Sequence, residues 1–504
     1  MRLRVNMWKF IRDSFLLFAF TAGTSRAVNN GLARTPPLGW NNWNSLGCDV
    51  SEDLLLETAS QLVSLGLMDV GYKYTVLDDC WSDGRDSNGR LKVDLSRFPN
   101  GMSSVSSRIH SHGLLFGMYS SAGHMTCARG EGSLDHETED AQSFADFSID
   151  YLKNDNCYSQ GRAGSAQASF TRYDAMAKAL NRTGRPIVYS LCNWGEDFVM
   201  SWGVSIANSW RISGDIYDSF SRPDDRCSCT ENDPSSPWCV SPGAHCSVLT
   251  ILKKIAPYAD RGQPGGWQDL DALEVGLGGM TDEEYKAHFS LWAALKSPLL
   301  IGADLRILSP EALTILNNPA ILAISQDPLG VPATRVERNV NVPKDRYGIG
   351  ETHVWSGPLA GGDQVLIFLN AADEDLEMVA YLEDVFVGQG PSCSAPQCNQ
   401  DWVVHDLWGS RMDNSVASEL LEKSKSGEDA ARILQNADHY NASSLSYKEG
   451  LEQQDKRLLG TKVDEIPARG SLKVKVKRHS AKVYRLRPKS GISGKRYSHF
   501  KDEL

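Results

Sequence analysis

The chain has 504 residues, and its 52 lysines and arginines against 63 aspartates and glutamates give a formal net charge of −11. With 41% hydrophobic and 23% charged residues, the composition is that of a globular protein and excludes a disordered or collagen-like chain. The negative charge argues against nucleic acid as the main partner, because phosphate binding needs a basic face.

Residues 1–27 predict a secretory signal peptide. Basic residues up to Arg12 precede an apolar run at 15–20, and Ser25-Arg26-Ala27 offers a small-residue cleavage site. No later stretch reaches the roughly 18 apolar residues of a membrane span, so no membrane partner is expected.

Residues 28–332 alternate between strand-like and helix-like patterns. The strand-like runs are Leu38–Asn41, Tyr74–Asp79, Leu114–Ser120, Ile149–Asp155, Pro186–Cys192, Ser209–Ser213, Gly266–Asp269 and Pro298–Gly302. The helix-like stretches include Asp53–Leu65, Thr138–Phe147, Phe170–Asn181, Ser247–Tyr258 and Thr281–Leu295. Eight strands with helices between them predict an α/β fold, a (β/α)8 TIM barrel; the weak seventh run is included partly because the count requires it.

After about Val331 the pattern changes, because strand-like runs now follow one another. They are His353–Ser356, Gln364–Leu369, Met378–Leu382, Trp402–Asp406, Leu472–Val476 and Ala481–Arg485. Residues 333–488 are therefore expected to form an antiparallel β domain. A polar, partly helical stretch at 410–460 interrupts it as an insertion.

Residues 489–504 form a tail that ends in Lys501-Asp502-Glu503-Leu504. This sequence is the retention signal of the endoplasmic reticulum, which is read by the KDEL receptor. Together with the signal peptide it predicts a protein of the endoplasmic reticulum lumen, with secretion as the alternative.

Polar and aromatic residues cluster where the barrel strands end. They are Trp40, Asp78, Asp79, Tyr119, Lys153, Asp155, Trp194, Arg211, Asp215, Trp267 and Asp271. In a TIM barrel the functional groups lie at the carboxyl ends of the strands. Carboxylates and cations hydrogen-bond sugar hydroxyls, and tryptophan covers the apolar face of a sugar ring, so this set predicts a sugar-binding pocket.

Two of these acids fit the two-carboxylate mechanism of glycoside hydrolysis. Lys153 and Asp155 lie two apart on a strand and so point into the barrel together, where the ammonium would keep the carboxylate ionised as a nucleophile. Asp215 follows a strand, in a loop whose environment could suit a proton donor. Pairing with Arg211 would oppose proton donation, so Arg211 is expected to point at substrate or at Asp155.

Structural alternatives exist for several of these residues. Asp78 and Asp79 could cap a helix and form a salt bridge, Lys153 could be a buried ion-pair partner, and Trp267 could belong only to the core. A metal site from Asp78, Asp79 and Asp271 is not expected, because no histidine accompanies them.

Seven motifs resemble the retaining α-galactosidases (melibiases) of glycoside hydrolase family twenty-seven. They are Pro36-Pro37-Leu38-Gly39-Trp40-Asn41, Leu77-Asp78-Asp79-Cys80-Trp81, Gly117-Met118-Tyr119-Ser120, Tyr151-Leu152-Lys153-Asn154-Asp155, Cys192-Asn193-Trp194-Gly195, Trp210-Arg211-Ile212-Ser213-Gly214-Asp215 and Trp267-Gln268-Asp269-Leu270-Asp271. The resemblance runs from about Ala33 to Pro332 and weakly to about Pro488. It implies a TIM barrel followed by an antiparallel β-sandwich, and hydrolysis of terminal non-reducing α-D-galactosyl residues with retention by double displacement, without a cofactor.

The resemblance also implies a role for individual residues. Asp155 matches the nucleophile and Asp215 the acid/base. Implied substrate-binding residues are Asp78, Asp79 and Lys153 at the C3, C4 and C6 hydroxyls, Trp194 and Arg211 at the C2 hydroxyl, Trp40 and Tyr119 in the pocket wall, and Asp271. The family pattern further implies the disulfide Cys127–Cys157, which braces the pocket, and the disulfide Cys48–Cys80.

The other cysteines are assigned by spacing. Cys393–Cys398 is the close pair of the β domain. Of the three pairings within the loop cluster, the nested one, Cys227–Cys246 with Cys229–Cys239, is favoured because Cys227–Cys229 would close too tight a ring. Cys192 is left as a free, buried thiol. A zinc site is the weaker alternative for the loop cluster, because its spacing lacks Cys-x2-Cys pairs.

Two asparagines, Asn181 and Asn441, lie in glycosylation sequons. The expected partners are α-galactoside oligosaccharides or galactosylated polymers, and a homo-oligomer is left open. Three rival functions remain: an α-N-acetylgalactosaminidase, a β-L-arabinopyranosidase, and an inactive galactoside-binding lectin of the endoplasmic reticulum.

Overall fold

A computed structural model describes residues 30–224, 227, 245–386, 395–423 and 427–489. The predicted signal peptide and the Lys501–Leu504 sequence lie outside the described residues, as do Cys229, Cys239 and Cys393. Within these ranges no helix combines the length and the hydropathy needed to cross a bilayer.

Eight parallel strands form the first sheet. Their bounds are Leu38–Asn41 (β1), Tyr74–Val76 (β2), Leu115–Ser121 (β3), Tyr151–Asp155 (β4), Val188–Cys192 (β5), Ser209–Arg211 (β6), Trp267–Asp269 (β7) and Leu299–Ile301 (β8). From β1 to β7, successive barrel strands are neighbours in the sheet, and β8 pairs with β1. A parallel bridge between Leu273, just past β7, and Ile301 of β8 links the two edges of the sheet. The predicted barrel is confirmed.

Helices follow the barrel strands and cover the sheet. They are Glu52–Ser64 (α1), Met102–Ser111 (α2), Glu137–Asp146 (α3), Ala166–Thr183 (α4), Val248–Ile255 (α5), Asp282–Ala294 (α6), Pro310–Leu316 (α7) and Pro319–Ser325 (α8). The Thr281 side chain accepts from the backbone of Glu284, whose carboxylate accepts in return, so a capping box opens α6. Short helical turns occur at Trp43–Leu46, Val199–Trp202 and Leu382–Val385.

Antiparallel strands form the second part of the chain. Their bounds are Thr334–Asn339 (β9), Thr352–Pro358 (β10), Gln364–Asn370 (β11), Leu376–Tyr381 (β12), Trp402–Asp406 (β13), Thr461–Ile466 (β14), Ser471–Val476 (β15) and Ser480–Pro488 (β16). Six of them form a sheet in the order β9-β10-β11-β16-β13-β14, and β12 pairs with β15. Further two-stranded pairings join Ser82–Arg85 to Leu91–Val93 and Asp215–Ile216 to His245–Cys246.

Strand β11 shows why the six-stranded sheet lies between two cores. Leu366 and Phe368 pack in a buried cluster with Met378 of β12 and Leu472 of β15, which makes the sandwich. The alternate residue Ile367 belongs to the buried cluster of the barrel. Because successive side chains of a strand point to opposite faces, one sheet serves both cores.

The 410–460 insertion packs on the barrel. It contains helices Asn414–Lys423 (α9), Gly427–Asn436 (α10), Tyr447–Glu452 (α11) and Lys456–Leu459 (α12). The Ala442 backbone N–H donates to the carbonyl of Asp69 at 2.7 Å, and the buried Tyr447 hydroxyl donates to the carbonyl of Val70 at 2.9 Å. The insertion thus covers the connection between α1 and β2.

Candidate active site

A cavity at the carboxyl ends of the barrel strands brings most of the predicted site residues together. Those that line it are Asp78, Tyr119, Cys127, Lys153, Asp155, Trp194, Arg211, Asp215 and Asp271. Asp79 and Cys157 do not line the cavity, but they hold residues or loops that do.

Asp155 ends β4 and is 6% exposed. Its Oδ1 accepts from the backbone N–H of Asn156 at 2.8 Å, and its Oδ2 accepts from the Tyr119 hydroxyl at 3.0 Å. Burial raises the pKa of Asp155 to about 6, although the neighbouring Lys153 ammonium acts in the opposite direction. The carboxylate is therefore fixed on two sides and is poorly solvated, which suits a nucleophile.

Lys153 forms a buried ion pair with Asp78. Its Nζ donates to Asp78 Oδ2 at 2.7 Å, and the same oxygen accepts from Asn41 Nδ2 at 2.8 Å. Burial by itself lowers the pKa of Lys153, but the charges of Asp78 and Asp155 and the hydrogen bond to Asp78 act together against it, and the pKa lies well above its usual value. The ammonium also lies 5.2 Å from the ring centroid of Tyr119. The pair presents a cation and an anion to the cavity.

Asp79 ties two loops together beneath the cavity wall. Its Oδ1 accepts from the backbone N–H of Cys80 at 2.7 Å, and its Oδ2 accepts from that of Ala128 at 2.9 Å. Ala128 follows Cys127, so Asp79 positions a segment that lines the cavity.

Arg211 is shared between two carboxylates. Its Nη2 lies 2.6 Å from Asp271 Oδ2 and 3.1 Å from Asp215 Oδ1, and its Nη1 donates to Cys192 Sγ at 3.5 Å. The expectation that Arg211 would not pair with Asp215 is therefore wrong. The cause is Asp271, whose Oδ2 also accepts from the backbone N–H of Ile216 and which draws the guanidinium to this side of the cavity.

Asp215 differs from Asp155 in its contact with solvent. Its side chain is 43% exposed, whereas Asp155 is buried. Of this pair, Asp215 is thus the solvated carboxylate and Asp155 the desolvated one. Among the described residues, no group of three or more potential ligands is arranged to hold a metal ion.

One tryptophan assignment is corrected by the structure. Trp40 is fully buried and its Nε1 donates to the carbonyl of Ala303 at 2.8 Å, so it does not line the cavity. Trp43, in the helical turn that follows β1, lines the cavity instead. Trp194 lines it as predicted, with a left-handed backbone (φ 57°). Trp267 is a core residue whose Nε1 donates to the carbonyl of Ala33.

Disulfides hold the loops around the cavity. The structure contains the predicted bonds Cys48–Cys80, Cys127–Cys157 and Cys227–Cys246. Cys192 is a free, buried thiol, also as predicted. Cys398 is disulfide-bonded. Its predicted partner Cys393 and the predicted Cys229–Cys239 pair lie outside the described residues and stay predictions. The four-cysteine zinc alternative is wrong, because Cys227 and Cys246 are joined to each other.

The two sequon asparagines differ in their surroundings. Asn181 lies exposed in the last turn of α4. Asn441 is half-buried, and its Nδ2 donates to Asp69 Oδ1 at 2.7 Å.

Comparison with known proteins identifies the family. The family model described as alpha galactosidase A matches residues 35–232 and 246–327, and the model of the alpha galactosidase C-terminal beta sandwich domain matches residues 349–426. The chain belongs to the alpha galactosidase A (melibiase) family. The resemblance drawn from the seven motifs is confirmed.

Relatives of this melibiase cover nearly the whole chain. It is 51% identical over 479 residues to an alpha-galactosidase of Zygotorulaspora mrakii, covering 94% of this chain and 99% of the relative. The solved α-galactosidase of Saccharomyces cerevisiae is 48% identical with a TM-score of 0.87, over 92% of this chain and 99% of that one. The structure of the enzyme from the same yeast with raffinose matches with a TM-score of 0.86 and 48% identity, over 91% and 99%.

Several residues that line the melibiase cavity were missed by the sequence argument. They are Asn41, Trp43, Asn44, Tyr151, Ser190, Cys192, Asp269, Ala272 and Leu300. Asn41 and Tyr151 could have been predicted, because side chains alternate along a strand and both residues fall on the inward-facing positions of β1 and β4. Asp269 lies in a quoted motif, two residues before Asp271. Burial raises its pKa to about 6, and the Arg211 charge opposes the shift.

Proposed function

We propose that this protein is a retaining α-galactosidase that releases terminal non-reducing α-D-galactosyl residues, with Asp155 as the nucleophile and Asp215 as the acid/base. The observation that carries the proposal is that both carboxylates matched to the catalytic motifs of the family line one cavity. Asp155 is desolvated and fixed by Tyr119 and the Asn156 backbone, whereas Asp215 is open to solvent. A double displacement needs two carboxylates on one cavity, one that attacks and one that gives and takes the proton. Which carboxylate does which is assigned from the family motifs, because burial by itself favours the protonated form of Asp155.

The reaction has two steps. The Asp155 carboxylate attacks the anomeric carbon while Asp215 gives its proton to the glycosidic oxygen, and the bond between that carbon and oxygen breaks. A β-galactosyl ester of Asp155 forms. In the second step Asp215 takes a proton from water, whose oxygen attacks the anomeric carbon and returns the Asp155 carboxylate. The product is α-galactose, with retained configuration.

Binding of the sugar is assigned to the polar walls of the cavity. Lys153 donates and Asp78 accepts at hydroxyls on one side, and Arg211 with Asp271 faces the sugar on the other. Trp194 fills the space at the C2 substituent. We infer that it excludes an N-acetyl group by steric clash, so galactose is preferred over N-acetylgalactosamine.

Small α-galactosides are the natural first substrates to test, because a relative with 48% identity has been solved with raffinose. The 410–460 insertion packs beside the connection between α1 and β2. Measuring galactose release from a galactosylated polymer tests whether such polymers also reach the cavity.

We further propose that the enzyme enters the secretory pathway through the signal peptide at 1–27 and is retrieved to the endoplasmic reticulum lumen by the KDEL receptor. The support is the pair of terminal sequences. N-glycosylation is proposed at Asn181, whose side chain is exposed, and at Asn441.

The decisive experiment compares three nitrophenyl glycosides at equal concentration: α-galactoside, α-N-acetylgalactosaminide and β-L-arabinopyranoside. We expect the α-galactoside to be cleaved fastest, with α-galactose as the first anomer seen by NMR. Faster cleavage of either other glycoside, or β-galactose as first product, would overturn the assignment. Tight galactose binding without any turnover would identify the lectin.

A further inference from the structure

Arg172 on α4 is a buried cation behind the cavity. It is 4% exposed, and its guanidinium donates to three acceptors on different segments: the carbonyl of Arg162 at 3.0 Å, the carbonyl of Ala122 at 3.2 Å and Asn156 Oδ1 at 2.5 Å. No carboxylate of the described residues lies within 4.0 Å of it. A buried charge without a direct counter-ion is costly, so the contacts that Arg172 makes have to offset that cost.

Asn156 passes the charge of Arg172 on to a carboxylate. While its Oδ1 accepts from the guanidinium, its Nδ2 donates to Glu196 Oε2 at 2.7 Å. Burial raises the pKa of Glu196, and both the Asn156 hydrogen bond and the Arg172 charge oppose that shift. The three side chains form an ion pair with an amide between the charges.

This bridge is joined to Asp155 by the backbone. Asn156 is the next residue in the chain, and its N–H donates to Asp155 Oδ1. Ala122, whose carbonyl accepts from Arg172, donates its N–H to the Asp155 carbonyl at 2.8 Å. The Tyr173 hydroxyl donates to the same carbonyl at 3.2 Å. The guanidinium therefore fixes the ends of β3 and β4 relative to each other.

We propose that Arg172, Asn156 and Glu196 are positioning residues: their amide-bridged ion pair holds Asp155 in its attacking orientation and balances the charge behind it. The inference rests on the proposed function, in which Asp155 is the nucleophile. None of the three lines the cavity, so they act through Asp155 and not on the sugar.

Because Arg172 and Glu196 carry opposite charges, removing one or the other should shift the pKa of Asp155 in opposite directions. The groups that face Asp155 are Lys153 on its own strand, Asp78 after β2, Tyr119 on β3, Tyr173 on α4, Cys192 on β5 and Asp215 after β6. The charges of Asp197 and Lys254 also act on Glu196 and stay in every variant. Removing the Arg172 cation makes this cluster more negative, which favours protonated Asp155. Removing the Glu196 charge makes it more positive, which favours the ionised form.

The experiment measures kcat, KM and the pH profile of kcat/KM for Arg172→Met, Arg172→Lys and Glu196→Gln. For Arg172→Met we expect kcat to fall about 10–100-fold because the nucleophile is misplaced, with KM unchanged within about twofold. The acidic limb of the kcat/KM profile of Arg172→Met should move to higher pH by about half a unit, and the acidic limb of Glu196→Gln should move to lower pH. Arg172→Lys keeps the charge, so its limb stays in place while kcat recovers in part.

Arg182→Met is the matched control, because Arg182 is an exposed arginine on the same helix whose Nη2 donates to Thr138 Oγ1. It should match the wild type. The proposal is refuted if the acidic limbs of Arg172→Met and Glu196→Gln stay in place or move in the same direction. The pH profile is measured with whichever nitrophenyl glycoside the wild type cleaves best. If that glycoside is not the α-galactoside, the proposed function is refuted but the role of the bridge can still be tested. A wild type without any turnover refutes both.

Discussion

Glu351 anchors the β domain to the barrel, and replacing it by glutamine should weaken that connection. Its carboxylate is 2% exposed and lies 3.0 Å from Lys253 Nζ of the barrel helix α5, 2.7 Å from Arg338 Nε and 3.3 Å from His353 Nε2. Burial alone would raise its pKa, but His353, Lys253 and Arg338 together hold it well below the usual range. The carboxylate is therefore ionised and held between the two parts of the chain.

The size of the effect follows from what Glu351→Gln leaves behind. Losing one partner of a buried ion pair costs about 3–5 kcal/mol. Lys253 and Arg338 are 23% and 29% exposed, so both can turn partly into solvent, and we reduce the expectation to about 2–3 kcal/mol. With an unfolding entropy of about 2.1 cal/mol/K per residue over 504 residues, this corresponds to a Tm lower by about 2–3 °C. Glu377→Gln, in an ion pair with Lys473 whose side chains are 61% and 59% exposed, is the control and should change little.

The direction of the Glu351 pKa shift determines how its contribution to stability changes with pH. Because the pKa of Glu351 is lowered by folding, its contribution is complete above the unfolded value of about 4.3 and is lost as the pH falls through the folded value. The difference in Tm between the wild type and Glu351→Gln should therefore be constant from pH 5 to 7 and shrink below about pH 4. A difference that grows on acidification, or equal Tm values for Glu351→Gln and the wild type at neutral pH, would refute this reasoning.

The remaining predictions concern the cavity. Asp155→Ala and Asp215→Ala should each abolish turnover while far-UV circular dichroism and Tm stay close to the wild type; more than about 1% residual activity in Asp155→Ala would contradict its assignment. Since burial raises the pKa of Asp155 to about 6 and the nucleophile must be ionised, kcat/KM should fall with unit slope below about pH 6. Trp194→Ala should raise the ratio of α-N-acetylgalactosaminide to α-galactoside hydrolysis at least about tenfold, and an unchanged ratio would show that the indole does not exclude the acetamido group. Peptide mapping should find Cys192 as a free thiol, and its recovery in a disulfide would break the pairing scheme.

The regular elements were largely predictable because their signals are local. Strand β1 has the predicted bounds, and the capping box of α6 is readable from Thr281 and Glu284. Strands β9 and β14 were missed because they are polar, mostly exposed edge strands without alternating apolar residues. The count of eight barrel strands was right even where the propensity of the seventh was weak.

The site was less predictable where it depends on loops. Arg211 and Asp215 meet because the segment after β6 folds back, and Asp271 adopts a left-handed backbone (φ 80°) that turns its carboxylate toward both. No pattern in the sequence predicts that these three side chains meet. Trp40 and Trp43 occupy similar Trp-Asn sequences. The alternation of β1 that points Asn41 into the cavity points Trp40 away from it, and the turn after β1 brings Trp43 to the cavity.

The contacts of the insertion with the connection between α1 and β2 have a consequence for synthesis on the ribosome. Asp69 and Val70 are bonded by Ala442 and Tyr447, which are made more than 370 residues later. The amino-terminal side of the barrel thus stays uncovered until translation is nearly complete, and a fragment cut near residue 332 would expose that apolar face. We expect such a fragment to aggregate or to bind chaperones, so the barrel should not work as a catalytic unit without the segments that follow it.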